Sequence, residues 1–201
     1  MAHRRRPLAV AFALNTAVLV VELAGGVQAN SLSLIIDGVH NVSDEFGLGF
    51  LVLAYSLRAG LSGRLVRTAN FFNSIGLLAI SGVLIWRVLE RLSQPVPVLG
   101  VVPIIAGILG AIGNWGVARV LLAPAREDAA IRLAYVHNLG DTLLSLAPVL
   151  AGALVLASGR PFFDSVIALA IAGVIIVTTL RSVLGSHHEL VWPENVVCGH
   201  R

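Results

Sequence analysis

The stretch Val98-Leu-Gly-Val-Val-Pro-Ile-Ile-Ala-Gly-Ile-Leu-Gly-Ala-Ile-Gly-Asn-Trp-Gly-Val-Ala118 decides the fold class of this chain. It contains no charged residue, and its polar and apolar positions do not alternate; the same is true of Ser165–Leu180. A membrane-spanning helix requires about 20 mostly apolar residues, whereas a strand of a membrane barrel requires about 10 in alternation. The two runs therefore predict an all-α, polytopic membrane protein.

The composition of the whole chain excludes most other classes. Of its 201 residues, 57% are hydrophobic and 12% are charged, whereas a water-soluble domain carries about 25% charged residues. The same numbers exclude intrinsic disorder. The net charge of +3 does not indicate a nucleic-acid partner, because the basic residues, all of them arginines, lie at the ends of apolar runs instead of forming one patch. The single cysteine, Cys198, permits no intramolecular disulfide.

Six apolar segments are long enough to cross a bilayer, and short connections join them. We predict transmembrane helices at Leu8–Val27, Leu34–Leu57, Phe71–Val88, Val98–Leu122, Ile131–Ala157 and Phe162–Leu184. Residues 1–184 are thus expected to form one six-helix transmembrane domain. Residues 185–201 are expected to form a short cytoplasmic tail. Its histidines and its cysteine are more typical of a solvated tail than of a metal site.

The arginines predict the orientation of these spans. With the N-terminus in the cytoplasm, the opposite side holds only Arg87, Arg91 and Arg160. The cytoplasmic side then holds Arg4, Arg5, Arg6, Arg58, Arg64, Arg67, Arg119, Arg126, Arg132, Arg181 and Arg201. Loops on the cytoplasmic side of membrane proteins carry the excess of positive charge. Both termini are therefore expected to be cytoplasmic.

A His-Asn-x-x-Asp motif occurs twice, as His40–Asp44 in the second span and His137–Asp141 in the fifth. Residues four apart lie on one face of a helix, so each motif stacks an imidazole above a carboxylate. Two such faces that meet would supply two nitrogen and two oxygen ligands, a set that suits Zn²⁺. A single pair would be explained by a hydrogen bond that lowers the cost of burial. Two pairs on separate spans favour a shared metal site.

Further polar residues lie in or near the predicted spans. Candidates for supporting the ligands or lining an ion path are Glu22, Asp37, Asn41 and Asn138. For the two acids, solvation near the membrane interface and a hydrogen bond to a neighbouring helix remain open as alternatives. Glu45 points away from the face of the first motif, which favours a hydrogen bond between helices. Asp164 lies in the first turn of the sixth span, where a carboxylate complements the helix dipole.

The chemistry of the candidate site indicates transport rather than catalysis. Carboxylates inside a bilayer are costly unless they are protonated or hold a cation. Metal binding requires deprotonated ligands, so a site of this kind would exchange a metal ion for protons. We therefore expect an antiporter and no enzyme activity. Two alternatives remain: a membrane-embedded metalloenzyme, and a haem protein with His40 and His137 as axial ligands.

The motifs resemble the cation diffusion facilitator family of divalent-metal transporters. The stretches that carry the resemblance are Val21-Glu-Leu-Ala-Gly-Gly26, Asn30-Ser-Leu-Ser-Leu-Ile-Ile-Asp-Gly-Val-His-Asn-Val-Ser-Asp44 and His137-Asn-Leu-Gly-Asp-Thr-Leu-Leu-Ser145. Asp164 is similar to an aspartate that commonly opens the sixth helix of the family. The resemblance implies that His40, Asp44, His137 and Asp141 are the transport site, in a protein that moves metal out of the cytoplasm by alternating access.

The resemblance also implies the cargo and the partners. Histidine at position 40 is similar to the zinc-type members, so we expect Zn²⁺, or Cd²⁺ or Co²⁺, as transported substrate and no organic cofactor. The expected partners are divalent metal ions, protons, the lipid bilayer and a second copy of the chain in a homodimer. The expected location is a bacterial inner membrane. Members usually continue into a cytoplasmic domain that binds metal and dimerises, and the present sequence is expected to lack it.

Overall fold

The computed structural model describes residues 2–56 and 63–185. Every regular element in these ranges is an α-helix. The helices are α1 (Ala2–Ala29), α2 (Leu32–Ser56), α3 (Gly63–Ser93), α4 (Val101–Ala125), α5 (Ala129–Leu144), α6 (Leu146–Ser158) and α7 (Phe162–Gly185). The all-α class is confirmed. The predicted tail at 185–201 falls outside the described residues, apart from Gly185.

Among the described residues, five helical segments are long and apolar enough to cross a membrane. They are Arg5–Ala29, Phe71–Ser93, Val101–Ala125, Ala130–Ser158 and Phe162–Arg181. Helix α2 does not belong to this group, because Asp37, Asp44 and Glu45 interrupt its apolar sequence. It is long enough to cross, however, and packs against α1, α3 and α7. Large apolar side chains face outward, such as Trp86 at 71% exposure. The expectation of a polytopic membrane protein is confirmed.

The fifth predicted span, Ile131–Ala157, corresponds to the apolar segment Ala130–Ser158, which is interrupted at one residue. Helix α5 ends at Leu144 and α6 begins at Leu146, with Ser145 between them. The cause lies one turn later, at Pro148, which has no N–H to donate to the carbonyl of Leu144 and whose ring crowds that carbonyl. The amide of Ser145 still donates to Asp141 at 2.9 Å, so the chain continues in nearly the same direction.

A tight turn joins α1 to α2 and fixes where α2 begins. Asn30 has a φ of 54°, the left-handed conformation that ends many helices. The amide of Ser31 donates to the carbonyl of Gly26 at 2.9 Å. Asp164, at the start of α7, accepts hydrogen bonds at 2.6–2.7 Å from both serine hydroxyls of the sequence Ser31-Leu-Ser33 and from the amide of Leu32. The carboxylate therefore caps the start of α2, and it also lies in the first turn of its own helix, α7.

Two apolar clusters hold the helices together, and α2 belongs to both. One cluster joins α1, α2, α4 and α5 through Leu8, Ala11, Leu48, Leu51, Tyr55, Val117, Leu121, Ala125 and Ile131. The other joins α2, α3 and α7 through Leu32, Ile36, Leu77, Val88, Ala168, Ile171, Ala172 and Ile175. Along α2, the two sets are separated by residues 37–47. This segment, held from both ends by packing, carries the first His-Asn-x-x-Asp motif.

Candidate metal centre

The two motifs meet where α2 faces α5. His40 and Asp44 lie one turn apart on α2, and His137 and Asp141 lie one turn apart on α5. Each of the four residues offers one nitrogen or carboxylate oxygen, and these four atoms lie within 4.8 Å of one another. The two imidazole rings approach edge to face, with 5.5 Å between their centroids. The structure thus brings together all four residues that the sequence suggested as ligands.

Imidazoles and carboxylates alternate around the group, so each histidine nitrogen lies beside an oxygen of both aspartates. His40 Nε2 lies 3.2 Å from Asp141 Oδ1 and 3.7 Å from Asp44 Oδ2. His137 Nε2 lies 2.7 Å from Asp44 Oδ1 and 3.7 Å from Asp141 Oδ2. Zinc bonds of about 2.0–2.2 Å in a tetrahedron separate neighbouring ligand atoms by about 3.4 Å. Since the four ligand atoms lie up to 4.8 Å apart, the widest pair must close by about 1 Å for the four to surround one ion.

Burial makes these atoms unusual for an ordinary ion-pair cluster. The side chains of His40, Asp44 and Asp141 are 7–9% exposed, whereas that of His137 is 46% exposed. Asp44 Oδ2 and Asp141 Oδ2 are buried and accept no hydrogen bond. A buried acceptor without a donor is costly. Both orphan oxygens lie beside a histidine nitrogen at 3.7 Å, where a cation bound among the four residues would satisfy them.

The same geometry bears on the haem alternative. In a haem with two histidine ligands, the porphyrin ring occupies the plane between the two imidazole nitrogens. Here, carboxylate oxygens of Asp44 and Asp141 fill the space beside both Nε2 atoms. The four side chains offer a compact cation cage and leave no slot for a macrocycle.

A second polar cluster connects α1 to the segment after the first motif. Glu45 accepts hydrogen bonds from Asn15 Nδ2 at 2.8 Å and from the hydroxyl of Thr16. Asn15 Nδ2 also donates to the carbonyl of Asn41 at 3.2 Å. The expectation that Glu45 forms a hydrogen bond between helices is confirmed. Because Glu45 follows Asp44 directly, this cluster fixes the backbone that carries one of the candidate ligands.

The four candidate supporting residues occupy different positions. Glu22 and Asp37 lie together in the interior, at 0% and 1% exposure, between α1 and α2. Asn41 donates to Glu22 Oε2. Asn138 instead donates to the carbonyl of Ala134, one turn back on its own helix, at 2.9 Å. Three of the four thus form one interior group on the α1 side of α2, and the fourth bonds to its own helix.

Two further polar residues support this interior group, and neither was predicted as part of the site. Asn114 of α4 donates to the hydroxyl of Ser145 at 3.1 Å, and both residues are fully buried. Ser145 in turn faces Asp37. The available signal was the presence of an asparagine in the otherwise apolar run 98–118. The glycines of that run allow close approach between helices: a Cβ on Gly113 would lie 2.1 Å from Val18 Cγ2.

Comparison with known proteins agrees with this geometry. A family model described as the cation efflux transmembrane domain matches residues 8–191. The chain belongs to the cation efflux family. The resemblance to divalent-metal transporters inferred from the two motifs is therefore confirmed.

Individual relatives in the cation efflux family are bacterial transporters. The zinc transporter ZitB of Escherichia coli is 28% identical over 198 residues, which cover 94% of this chain and 63% of the relative. The cadmium, cobalt and zinc/H(+)-K(+) antiporter of Bacillus subtilis is 26% identical over 204 residues, covering 96% of this chain and 66% of the relative. The metal cation efflux system protein CzcD of Cupriavidus metallidurans is 27% identical over 176 residues, covering 83% and 55%. The chain spans about two thirds or less of the length of these relatives.

Proposed function

We propose that this chain forms the membrane domain of a divalent-metal efflux transporter, which carries Zn²⁺ out of the cytoplasm in exchange for protons by alternating access. The metal ligands are His40, Asp44, His137 and Asp141. The observation that carries the proposal is their convergence: two imidazole nitrogens and two carboxylate oxygens from separate helices lie within 4.8 Å of one another. Two of the buried carboxylate oxygens still lack a donor.

Proton exchange follows from how the four residues satisfy one another without a metal ion. A hydrogen bond between a histidine Nε2 and a carboxylate oxygen contains one proton, whichever atom carries it. Such contacts join His40 to Asp141 at 3.2 Å and His137 to Asp44 at 2.7 Å. Zinc requires lone pairs on both atoms of each contact, so the bound ion displaces these protons. The return of protons restores the contacts and releases the metal.

The cargo is proposed from ligand chemistry together with the relatives. Imidazole and carboxylate ligands suit Zn²⁺, but they also accept Co²⁺ and Cd²⁺. The printed names of the relatives include zinc transport and exchange of cadmium, cobalt and zinc for protons and potassium. We therefore propose Zn²⁺ as the preferred cargo, with Cd²⁺ and Co²⁺ as competing ones. A homodimer in a bacterial inner membrane is the proposed assembly and location.

Transport in liposomes tests the proposal directly. Purified protein is reconstituted into vesicles that contain a zinc-sensitive dye or a pH-sensitive dye, and external Zn²⁺ is added. We expect zinc to enter while protons leave. Asp44→Ala and Asp141→Ala should each reduce the zinc flux at least about tenfold, because loss even of groups that only orient a metal ligand costs 10–100-fold in affinity.

A matched control is Glu90→Ala, which removes an acid whose side chain is 50% exposed. We expect this variant to transport at the wild-type rate. Wild-type flux in both Asp44→Ala and Asp141→Ala would show that the ligand assignment is wrong. Absence of zinc flux from active wild-type vesicles, with another divalent ion carried instead, would remove zinc as the cargo.

A further inference from the structure

Glu22 on α1 and Asp37 on α2 form a pair of acids in the interior of the bundle. Their residues are 0% and 1% exposed. Asn41, which lies one turn after Asp37 on the same face of α2, donates to Glu22 Oε2. Neither belongs to the group of four candidate ligands. Asp37 precedes His40 by three residues, which is a rise of about 4.5 Å along the helix axis. The pair therefore lies about one turn from the proposed metal site, on the side of the α1–α2 turn.

The described residues around the pair make polar contacts with it, but none of them is a positively charged group dedicated to the pair. Asn41 donates to Glu22 Oε2, and Ser145 faces Asp37. The titratable groups that act on the pair are Asp141 of α5 and His40 of α2, and His40 is already engaged by two aspartates.

The remaining packed helices contribute no free cation to the pair among the described residues. Helix α4 presents Gly110 and Asn114 at this level, and α6 contains no titratable residue. Asp164 of α7 is bound to Ser31, Leu32 and Ser33. Arg91 of α3 donates to the carbonyl of Asn30 in the turn.

Two oxygens of the pair are left without a donor. Glu22 Oε1 and Asp37 Oδ2 are both buried and make no hydrogen bond. Two neighbouring carboxylates in an apolar interior repel each other, and each loses its hydration. One proton removes the repulsion and the charge of one carboxylate, and the protonated carboxyl becomes a hydrogen-bond donor to its neighbour.

The bundle also keeps space for the Glu22 carboxyl. A Cβ added to Gly110 of α4 would lie only 2.1 Å from Glu22 Oε1 and 3.5 Å from the Cβ of Ser145. Any side chain at this position would displace the carboxyl from Asn41 and Asp37. Gly110 therefore leaves room for the Glu22 carboxyl in its present position.

We propose that Glu22 and Asp37 share one proton and form a proton-binding site, separate from the metal ligands, that is emptied when the metal site fills. This inference rests on the proposed function, since it assigns part of the proton exchange to a place outside the four ligands. A dication held one turn away in a medium of low dielectric repels the shared proton strongly. The O–H bond then breaks, the electron pair stays on the carboxylate oxygen, and the proton passes to water.

The number of protons released per bound zinc tests the pair. Zinc is titrated into the purified full chain in several buffers of different ionisation enthalpy, at one pH, and the dependence of the binding heat on the buffer gives the proton count. Glu22→Gln keeps the size of the side chain and an acceptor for Asn41, but holds no exchangeable proton. We expect this variant to bind zinc and to release about one proton fewer per ion than the wild type.

Glu90→Gln is the matched control, since it makes the same change at an exposed acid, and it should release as many protons as the wild type. A wild-type proton count in zinc-binding Glu22→Gln would overturn the proposal. Should that variant fail to fold, Asp37→Asn replaces it with the same expectation.

Infrared difference spectra of the wild type provide a test that needs no variant. Addition of zinc should remove a C=O band of a protonated carboxylic acid, and a spectrum without any such loss would also overturn the proposal. If Glu22→Gln binds zinc and releases as many protons as the wild type, only the proposal of a shared proton on Glu22 and Asp37 is contradicted. Failure of the wild type to bind zinc contradicts the proposed function itself.

Discussion

The two histidines of the candidate metal centre have unequal surroundings. The side chain of His40 is 9% exposed and that of His137 is 46% exposed. His40 lies in the interior beside Asp44 and Asp141, so its nitrogen is held by the packing of α2. His137 lies at the open side of the group, where an arriving ion would meet it first. Of the two candidate histidine ligands, His40 is therefore the one whose position the packing fixes.

We predict that His40→Ala weakens zinc binding at least about tenfold and manganese binding much less, because imidazole suits Zn²⁺ whereas Mn²⁺ prefers oxygen ligands. Titrations of the purified protein with Zn²⁺, Cd²⁺ and Mn²⁺ in parallel measure this change. His40→Asp is the matched variant, since it replaces the nitrogen ligand by an oxygen. It should shift the preference further towards Mn²⁺. If both variants lost the same factor of binding affinity for all three metals, a selective role for His40 would be contradicted.

At the scale of helices, Asp164 connects two elements that are distant in sequence. Its two oxygens accept three hydrogen bonds from the start of α2, and it lies in the first turn of α7. The residue is 1% exposed. Water therefore cannot take the place of its carboxylate as hydrogen-bond acceptor for these donors. The position of α2, and with it the position of His40 and Asp44, therefore depends on this carboxylate.

We predict that Asp164→Ala destabilises the bundle by about 2 kcal/mol or more, because it leaves buried donors unpaired at about 1–3 kcal/mol each. The thermal midpoint of unfolding in detergent should fall clearly below that of the wild type. Asp164→Asn keeps one acceptor oxygen and should lie between the two. Glu90→Ala, at the exposed end of α3, should leave the midpoint unchanged. A midpoint of Asp164→Ala equal to the wild-type value would show that these contacts carry no stability.

Helical periodicity explains why the candidate ligands could be predicted from sequence. The spacing of four fixes His40 above Asp44 and His137 above Asp141 whatever the packing, and the repetition of the motif indicated that the two faces meet. The interruption at Ser145 was less predictable. Pro148 was visible, but neighbouring helices often compensate a proline within a membrane helix. The contact of Glu22 with Asp37 could not be predicted, since it depends on how α1 and α2 are rotated against each other.

At the scale of the whole molecule, each end of the bundle has an exposed arginine in a connection between helices. The α4–α5 connection contains Arg126, and the α6–α7 connection contains Arg160; both residues are exposed. The chain crosses the bundle once between them, along α5 and α6. They therefore lie at opposite ends. Alternating access requires a site between the two ends to face each compartment in turn, and the orientation decides which end faces the cytoplasm.

We predict that Arg126 faces the cytoplasm and Arg160 the opposite side, because the arginine-rich ends of the spans remain in the cytoplasm. The test replaces Cys198 by serine and introduces either Arg126→Cys or Arg160→Cys. An impermeant maleimide added to intact bacterial cells should label Arg160→Cys and leave Arg126→Cys unlabelled until the membrane is permeabilised. The Cys198→Ser protein without a new cysteine is the control for background labelling. The inverse pattern would show that the predicted orientation is wrong.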